Sequence, residues 1–214
     1  MVLLRIAALA AVLLLLTGCG ADWSEPHPAP SAVGALGPGF FAAPPHPEAT
    51  ITPAPGSWDA VRPSGGYRVV LVTSGADAPT KNLVAAVEEW AGEVDADLRT
   101  VAITHPHDLV PGITRALDLK PDLIVSAGND LIDPLALVTA SHLSQRFLVV
   151  GAELAEPTHN VTSVDWAGAS FRGEGLGASS TYDPASFTPE RCASAIRAGV
   201  AAVLNGLTGI VVWL

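Results

Sequence analysis

Pro121-Asp122-Leu123-Ile124-Val125-Ser126-Ala127-Gly128, a helical run, and then Arg146-Phe147-Leu148-Val149-Val150-Gly151 decide how this chain folds. Leu123–Val125 and Phe147–Val150 are short apolar runs with β-branched residues, the pattern of strands covered on both faces. Between them, Asp130–Gln145 sets Leu131, Leu135, Val138 and the His142-Leu143 pair near helical spacing. Strand, crossover helix and strand make a βαβ unit, which is right-handed and builds a parallel sheet. Gly128 falls where the first strand must turn sharply towards a helix. In open α/β sheets that carboxyl edge is where ligands bind.

Working outward, the same alternation repeats. Tyr67–Thr73 reads as a strand ending in Ser74-Gly75. Pro79–Val94 reads as a helix, with Leu83, Val87, Trp90 and Ala91 on one face and Glu88, Glu89 and Glu93 on the other. Leu98–Thr104 is a second strand and Asp108–Leu119 a second helix. Asn160–Trp166 alternates as an edge strand would. Pro189–Leu204 is an Ala-rich helix and Gly209–Leu214 a closing strand. Residues 67–214 are therefore expected to form one doubly wound α/β domain with a mainly parallel sheet. The glycines of Gly173-Glu174-Gly175-Leu176-Gly177 lack the strand-to-helix context of a dinucleotide site and read as a connection.

The amino-terminal end carries a different signal. Arg5, the apolar run Ile6–Leu16 and Leu16-Thr17-Gly18-Cys19 form an export signal over residues 1–18, too short an apolar run to span a bilayer comfortably. The tetrapeptide resembles the bacterial lipobox, in which the cysteine becomes the acylated first residue of the mature chain; an ordinary secretory peptide is the alternative. Acylation with two or more chains gives stable anchoring to the outer face of the cell membrane. It also leaves Cys192 without a disulfide partner, so a buried structural thiol is expected there.

Residues 19–66 hold ten of the eighteen prolines and no sustained periodicity. That composition reads as a disordered, semi-stiff tether contributing no core, so a chain starting near Gly65 should fold as well as the mature one. Trp23, Phe40, Phe41 and Trp58 stand out as side chains able to dock on the domain or a membrane. His27 and His46, isolated between prolines, make a poor metal site. The formal net charge of −10, with no basic cluster, argues against a nucleic-acid partner.

Lys120–Trp166 resembles the basic membrane protein family of substrate-binding lipoproteins, which have the type 1 periplasmic-binding fold. The matching motifs are Pro121-Asp122-Leu123-Ile124, Gly128, Phe147-Leu148-Val149-Val150 and Asn160-Val161-Thr162-Ser163-Val164. Ala169-Ser170-Phe171-Arg172-Gly173 resembles the family's next motif. The resemblance implies solute capture for an ABC importer, often of nucleosides, with a transporter permease as partner. Asp77 and Asn82 stand near the family's Asp and Phe-Asn pair, with Lys81 in place of the aromatic. Gly151 replaces an acidic residue that has its nearest counterpart in Glu153. Family members have two lobes, whereas residues 67–214 encode one; a partner subunit could supply a second.

The expected carboxyl edge of the sheet gathers Ser74, Asp77, Asn82, Ser126, Gly128, Asn129 and Asp130. Their hydroxyl, amide and carboxylate groups could hold a small polar solute. Ser, Asn and Asp at strand–helix junctions are also common helix caps, which is the competing reading for Asn129 and Asp130. Trp166 could stack on a flat ring or belong to the core. No Ser/His/Asp grouping, metal cluster or phosphate loop points to an enzyme, a cofactor or a metal. An envelope interaction module that kept the lobe and lost the pocket is the alternative to solute binding.

Overall fold

The computed structural model describes residues 22–154, 157–172 and 181–214. The export signal, Cys19 and the glycines at 173–177 lie outside them. The strands are β1 (Ala32–Val33), β2 (Thr50–Ile51), β3 (Arg62–Pro63), β4 (Arg68–Ser74), β5 (Asp97–Ile103), β6 (Leu123–Ala127), β7 (Phe147–Val150), β8 (Ala152–Leu154), β9 (Val161–Asp165), β10 (Ser170–Arg172) and β11 (Val211–Trp213). The helices are α1 (Ala78–Glu93), α2 (Leu109–Asp118), α3 (Ile132–Thr139) and α4 (Pro189–Leu204).

Seven strands form one sheet in the order β2-β11-β9-β7-β6-β4-β5, every neighbouring pair parallel. The expected doubly wound α/β architecture is what the chain adopts. Helices α1 and α4 pack together on one face, α2 and α3 on the other. This double cover explains why Val69–Val72, Leu123–Val125 and Leu148 are all but inaccessible to water. Each long helix has a chemical start signal. Asp77 caps α1 by accepting from the Thr80 amide at 2.9 Å, with Pro79 in the first turn. Thr188 caps α4 through the Arg191 amide, with Pro189 following.

Two elements differ from expectation. Helix α3 runs only from Ile132 to Thr139, and the chain then passes through turns to β7. The reason is Asn160: its side-chain amide donates to the carbonyls of Thr139, His142 and Gln145 at 3.0–3.2 Å, holding the turns that replace the last helical residues. Strand β9 is not an edge. It lies between β7 and β11 with all five residues buried. Its polar Thr162 and Ser163 point to opposite faces and both are buried, Thr162 on the face of Val164 under α4 and Ser163 on the face of Val161 towards α2 and α3. A Cβ at Gly199 would stand 2.6 Å from Leu148 and 2.7 Å from Val164.

The largest correction concerns the amino-terminal segment. Residues 22–66 are not a free tether: they wrap the domain and supply part of its core. Phe40, Ile51 and Trp58 are buried with α1, α4 and β11, while Trp23 is buried on the other face. Strand β2 lies beside β11 through Ala49–Ile51 and covers what would otherwise be a bare sheet edge. Strands β1 and β3 make a small antiparallel pair of their own. Average composition over residues 22–66 conceals this docking. Docking here rests on a few widely spaced aromatic and aliphatic anchors, and the prolines between them restrict the unfolded chain and so lower the entropy cost of ordering.

Candidate functional site: a crevice at the carboxyl edge

The strand order reverses direction at β4. From it the chain crosses outward to β5 and then back past it to β6, so the carboxyl ends of β4 and β6 flank a topological switch point. A crevice opens there, bounded by the first turn of α1, the ends of β6 and β7, and the segment leading into α4.

Gly128 shapes its floor. With φ +127°, it sits where a side chain could not, since a Cβ would lie 2.0 Å from the Ser74 carbonyl oxygen. The close approach joins the ends of β4 and β6 and presents Ser126 and Asn129 to the crevice. Ser126 is buried and Asn129 exposed. Asp77 forms one wall, its carboxylate held by the Thr80 amide and, at 3.0 Å, by the Thr80 hydroxyl.

Four of the residues singled out from sequence, Asp77, Ser126, Gly128 and Asn129, therefore meet at one place. The other three, Ser74, Asn82 and Asp130, do not line it. Ser74 is buried behind Gly128. Asn82 donates to the Phe187 carbonyl at 2.7 Å and ties α1 to the segment before α4. The cap positions of the short 3-10 turn and of α3 are Gly128 and Leu131, neither with a side-chain capping bond, so the capping reading fails for Asn129 and Asp130. Trp166 belongs to the core: it is buried, donates to the Ser186 hydroxyl at 3.0 Å and packs edge-on against Phe187. Cys192 is free and buried, and burial pushes its thiol up to about 11, which keeps it protonated and unreactive.

Sequence reading missed Thr80, Gly151, Ser170, Tyr182 and Phe187, all part of the same lining. Tyr182 and Phe187 contact each other at 5.9 Å between ring centres and close the crevice from the α4 side. Gly151 leaves room for Phe187, since a Cβ there would meet its ring at 2.4 Å. The only local sign was two aromatics bracketing the Asp183-Pro184 turn. What remains enclosed is about 20 Å³, room for about one water.

Two carboxyl groups lie beyond this lining, on adjoining strands. Asp165, at the end of β9, accepts from the Trp166 amide at 2.9 Å, yet burial pushes its carboxyl up to about 7, with the charge of Glu153 adding to the effect. Burial also raises Glu153. Tyr182 is raised by burial and then by the Asp77 charge. Among the described residues no group of three or more His, Cys, Asp or Glu is placed to hold a metal ion. The crevice offers hydroxyl, amide and carboxylate partners beside aromatic faces, a set suited to a small polar molecule with a flat or sugar-like part.

No family model and no curated protein matches the chain. Among solved structures, ABC transporter system solute-binding proteins from Aeropyrum pernix K1 align at 20% identity over 47% of this chain and 29% of theirs, with a TM-score of 0.43. A putative lipoprotein fragment from Peptoclostridium difficile 630 aligns at 17% identity over 64% of this chain and 98% of its own, with a TM-score of 0.47. A transcriptional activator of the comK gene from Bacillus halodurans aligns at 11% identity over 68% and 53%, with a TM-score of 0.41. The chain thus spans less than a third of the Aeropyrum protein. These are distant likenesses; the fold assignment rests on the strand order itself.

Proposed function

We propose that this chain is a lipid-anchored, extracytoplasmic lipoprotein of the solute-binding type that serves ABC importers, its α/β lobe carrying a site for a small polar, nucleoside-like solute. The observation that carries this reading is the convergence of Ser126, Asn129 and Asp77 on a crevice at the topological switch point. The lipobox at Cys19 and the resemblance of Lys120–Trp166 to the basic membrane protein family support it. Its partners are the bilayer, a small solute, and a permease or a second lobe supplied by another subunit.

One lobe buries much less of a ligand than the 70–90% typical of a closed pocket. The cost of immobilising the solute stays, while a large part of the contact is missing. An isolated monomer should therefore bind no more tightly than roughly millimolar, about −4 kcal/mol. A second reading is favoured by the small enclosed volume, about 20 Å³, because Tyr182 and Phe187 occupy the space a solute would need. On that reading the lobe is an envelope interaction module without a ligand. Calorimetry with adenosine and uridine on the mature unlipidated chain, its state fixed on a sizing column, tests both. Weak saturable heat supports the solute-binding lobe, whereas micromolar binding by a monomer overturns the single-lobe account. No heat up to several times the roughly millimolar ceiling leaves the interaction module.

A further inference from the structure

The segment just after Cys19 is clasped to one end of the sheet. Arg68, at the amino end of β4, donates from its guanidinium to the main-chain carbonyls of Asp22 (3.2 Å), Trp23 (3.2 Å) and Glu25 (2.9 Å). The Trp23 indole donates to Asp97 at the start of β5 at 2.6 Å and lies under the Arg99 guanidinium, 4.3 Å from the ring centre. His27 meets both carboxylate oxygens of Asp122, just before β6, at 2.8 and 2.9 Å, and the Arg68 amide donates to the same carboxylate. All these partners stand at the amino ends of parallel strands. The crevice stands at the carboxyl ends.

We infer that this clasp makes the amino edge of the sheet the surface that rests against the bilayer, so that the crevice points away from the membrane. The inference rests on the reading of Cys19 as the lipidated residue. Cys19 and Asp22 are three residues apart, at most about 11 Å. A free 47-residue spacer would let the domain range over roughly 40 Å in any orientation. With the clasp closed, the acyl chains emerge beside the starts of β4, β5 and β6. The end of β4, seven residues long, stands about 20 Å further out. Pro26 and Pro28 hold the chain around His27 stiffly, which lowers the entropy cost of keeping the clasp closed. The device fits a protein that must present a site to a partner at fixed height rather than fish for it on a line.

The test uses the full chain purified from membranes with one added surface cysteine, either Ser144→Cys beside the amino edge or Ala76→Cys beside the crevice. Both positions are exposed, whereas Cys192 is buried. Each is labelled with a fluorophore and reconstituted into phosphatidylcholine vesicles carrying a nitroxide on the headgroup. The expected result is several-fold stronger quenching at position 144 than at 76, and loss of that difference in Trp23→Ala/His27→Ala. Melting curves show whether the double variant still folds; if it does not, the comparison of the two labels in the otherwise native chain decides alone. Equal quenching of both labels, in protein whose intact mass includes the diacylglyceryl group, overturns the orientation and leaves the anchor standing. A mass without that group overturns the anchor and the orientation together.

Discussion

Phe40→Ala is the sharpest test of the corrected architecture, because Phe40 and its neighbour Phe41 have the same chemistry and opposite surroundings. Phe40 is 1% exposed and sits in the core formed with Ile51, Trp58, α4 and β11. Phe41 is 36% exposed, with its ring edge-on to Phe40 at 6.4 Å. Removing a buried phenylalanine costs about 3–5 kcal/mol through lost transfer energy and the cavity left behind. At about 2–4 °C per kcal/mol for a chain of this size, the midpoint should fall by roughly 6–20 °C. Phe41→Ala should cost less than about 1 kcal/mol, since much of its ring already meets water. Urea and thermal melts of the mature unlipidated chain, followed by circular dichroism, measure both. If Phe40→Ala changes stability by less than about 0.5 kcal/mol, residues 22–66 are a tether after all and the docked segment is wrong.

Three further outcomes follow from the same structure. Val149→Asp puts an unpaired charge on a 2%-exposed position between β6 and β9, and should abolish cooperative melting; a normal transition would show that β7 is not central. Gly128→Ala forces a side chain into φ +127° and against the Ser74 carbonyl, costing at least about 1–3 kcal/mol from backbone strain; a denaturation midpoint equal to wild type would contradict the floor geometry. Asp165 has its carboxyl raised from an ordinary 3.8 to about 7, so the folded state holds a proton that the unfolded state gives up at lower pH. Its contribution is full below about pH 4 and is lost as pH rises through 7. Stability of the native chain should fall across that window and Asp165→Asn should flatten the fall; parallel profiles would refute it.

How much of this was legible in sequence depends on what sets each feature. The central βαβ unit and the flanking strands were legible because continuous apolar runs of Val, Ile and Leu report burial on both faces directly. Helix α4 was legible to the residue, since Thr188 and Pro189 mark its start. Burial of β9 was hidden, because Thr162 and Ser163 give each face of the strand a hydroxyl, and only the packing of both faces shows them buried. The end of α3 was hidden because its terminator, Asn160, is distant in sequence and acts through three long-range hydrogen bonds. At the crevice, Gly128, Ser126, Asn129 and Asp77 were found by the rule that polar residues at strand ends face a ligand edge. Tyr182 and Phe187 were not, because no local pattern tells an aromatic in an irregular segment which cleft it will fill. The docked amino-terminal segment was the deepest failure of composition-based reasoning, which weighs prolines but not the few anchors between them.

The claim that the switch-point crevice receives a small polar solute is tested most directly by backbone amide shifts of the mature unlipidated monomer titrated with adenosine. The account predicts saturable shifts at Gly75–Thr80, Gly128–Asn129 and Gly151–Ala152, with a midpoint at roughly millimolar adenosine. Shifts confined to the amino edge, or none at the crevice up to several times that concentration, would contradict it.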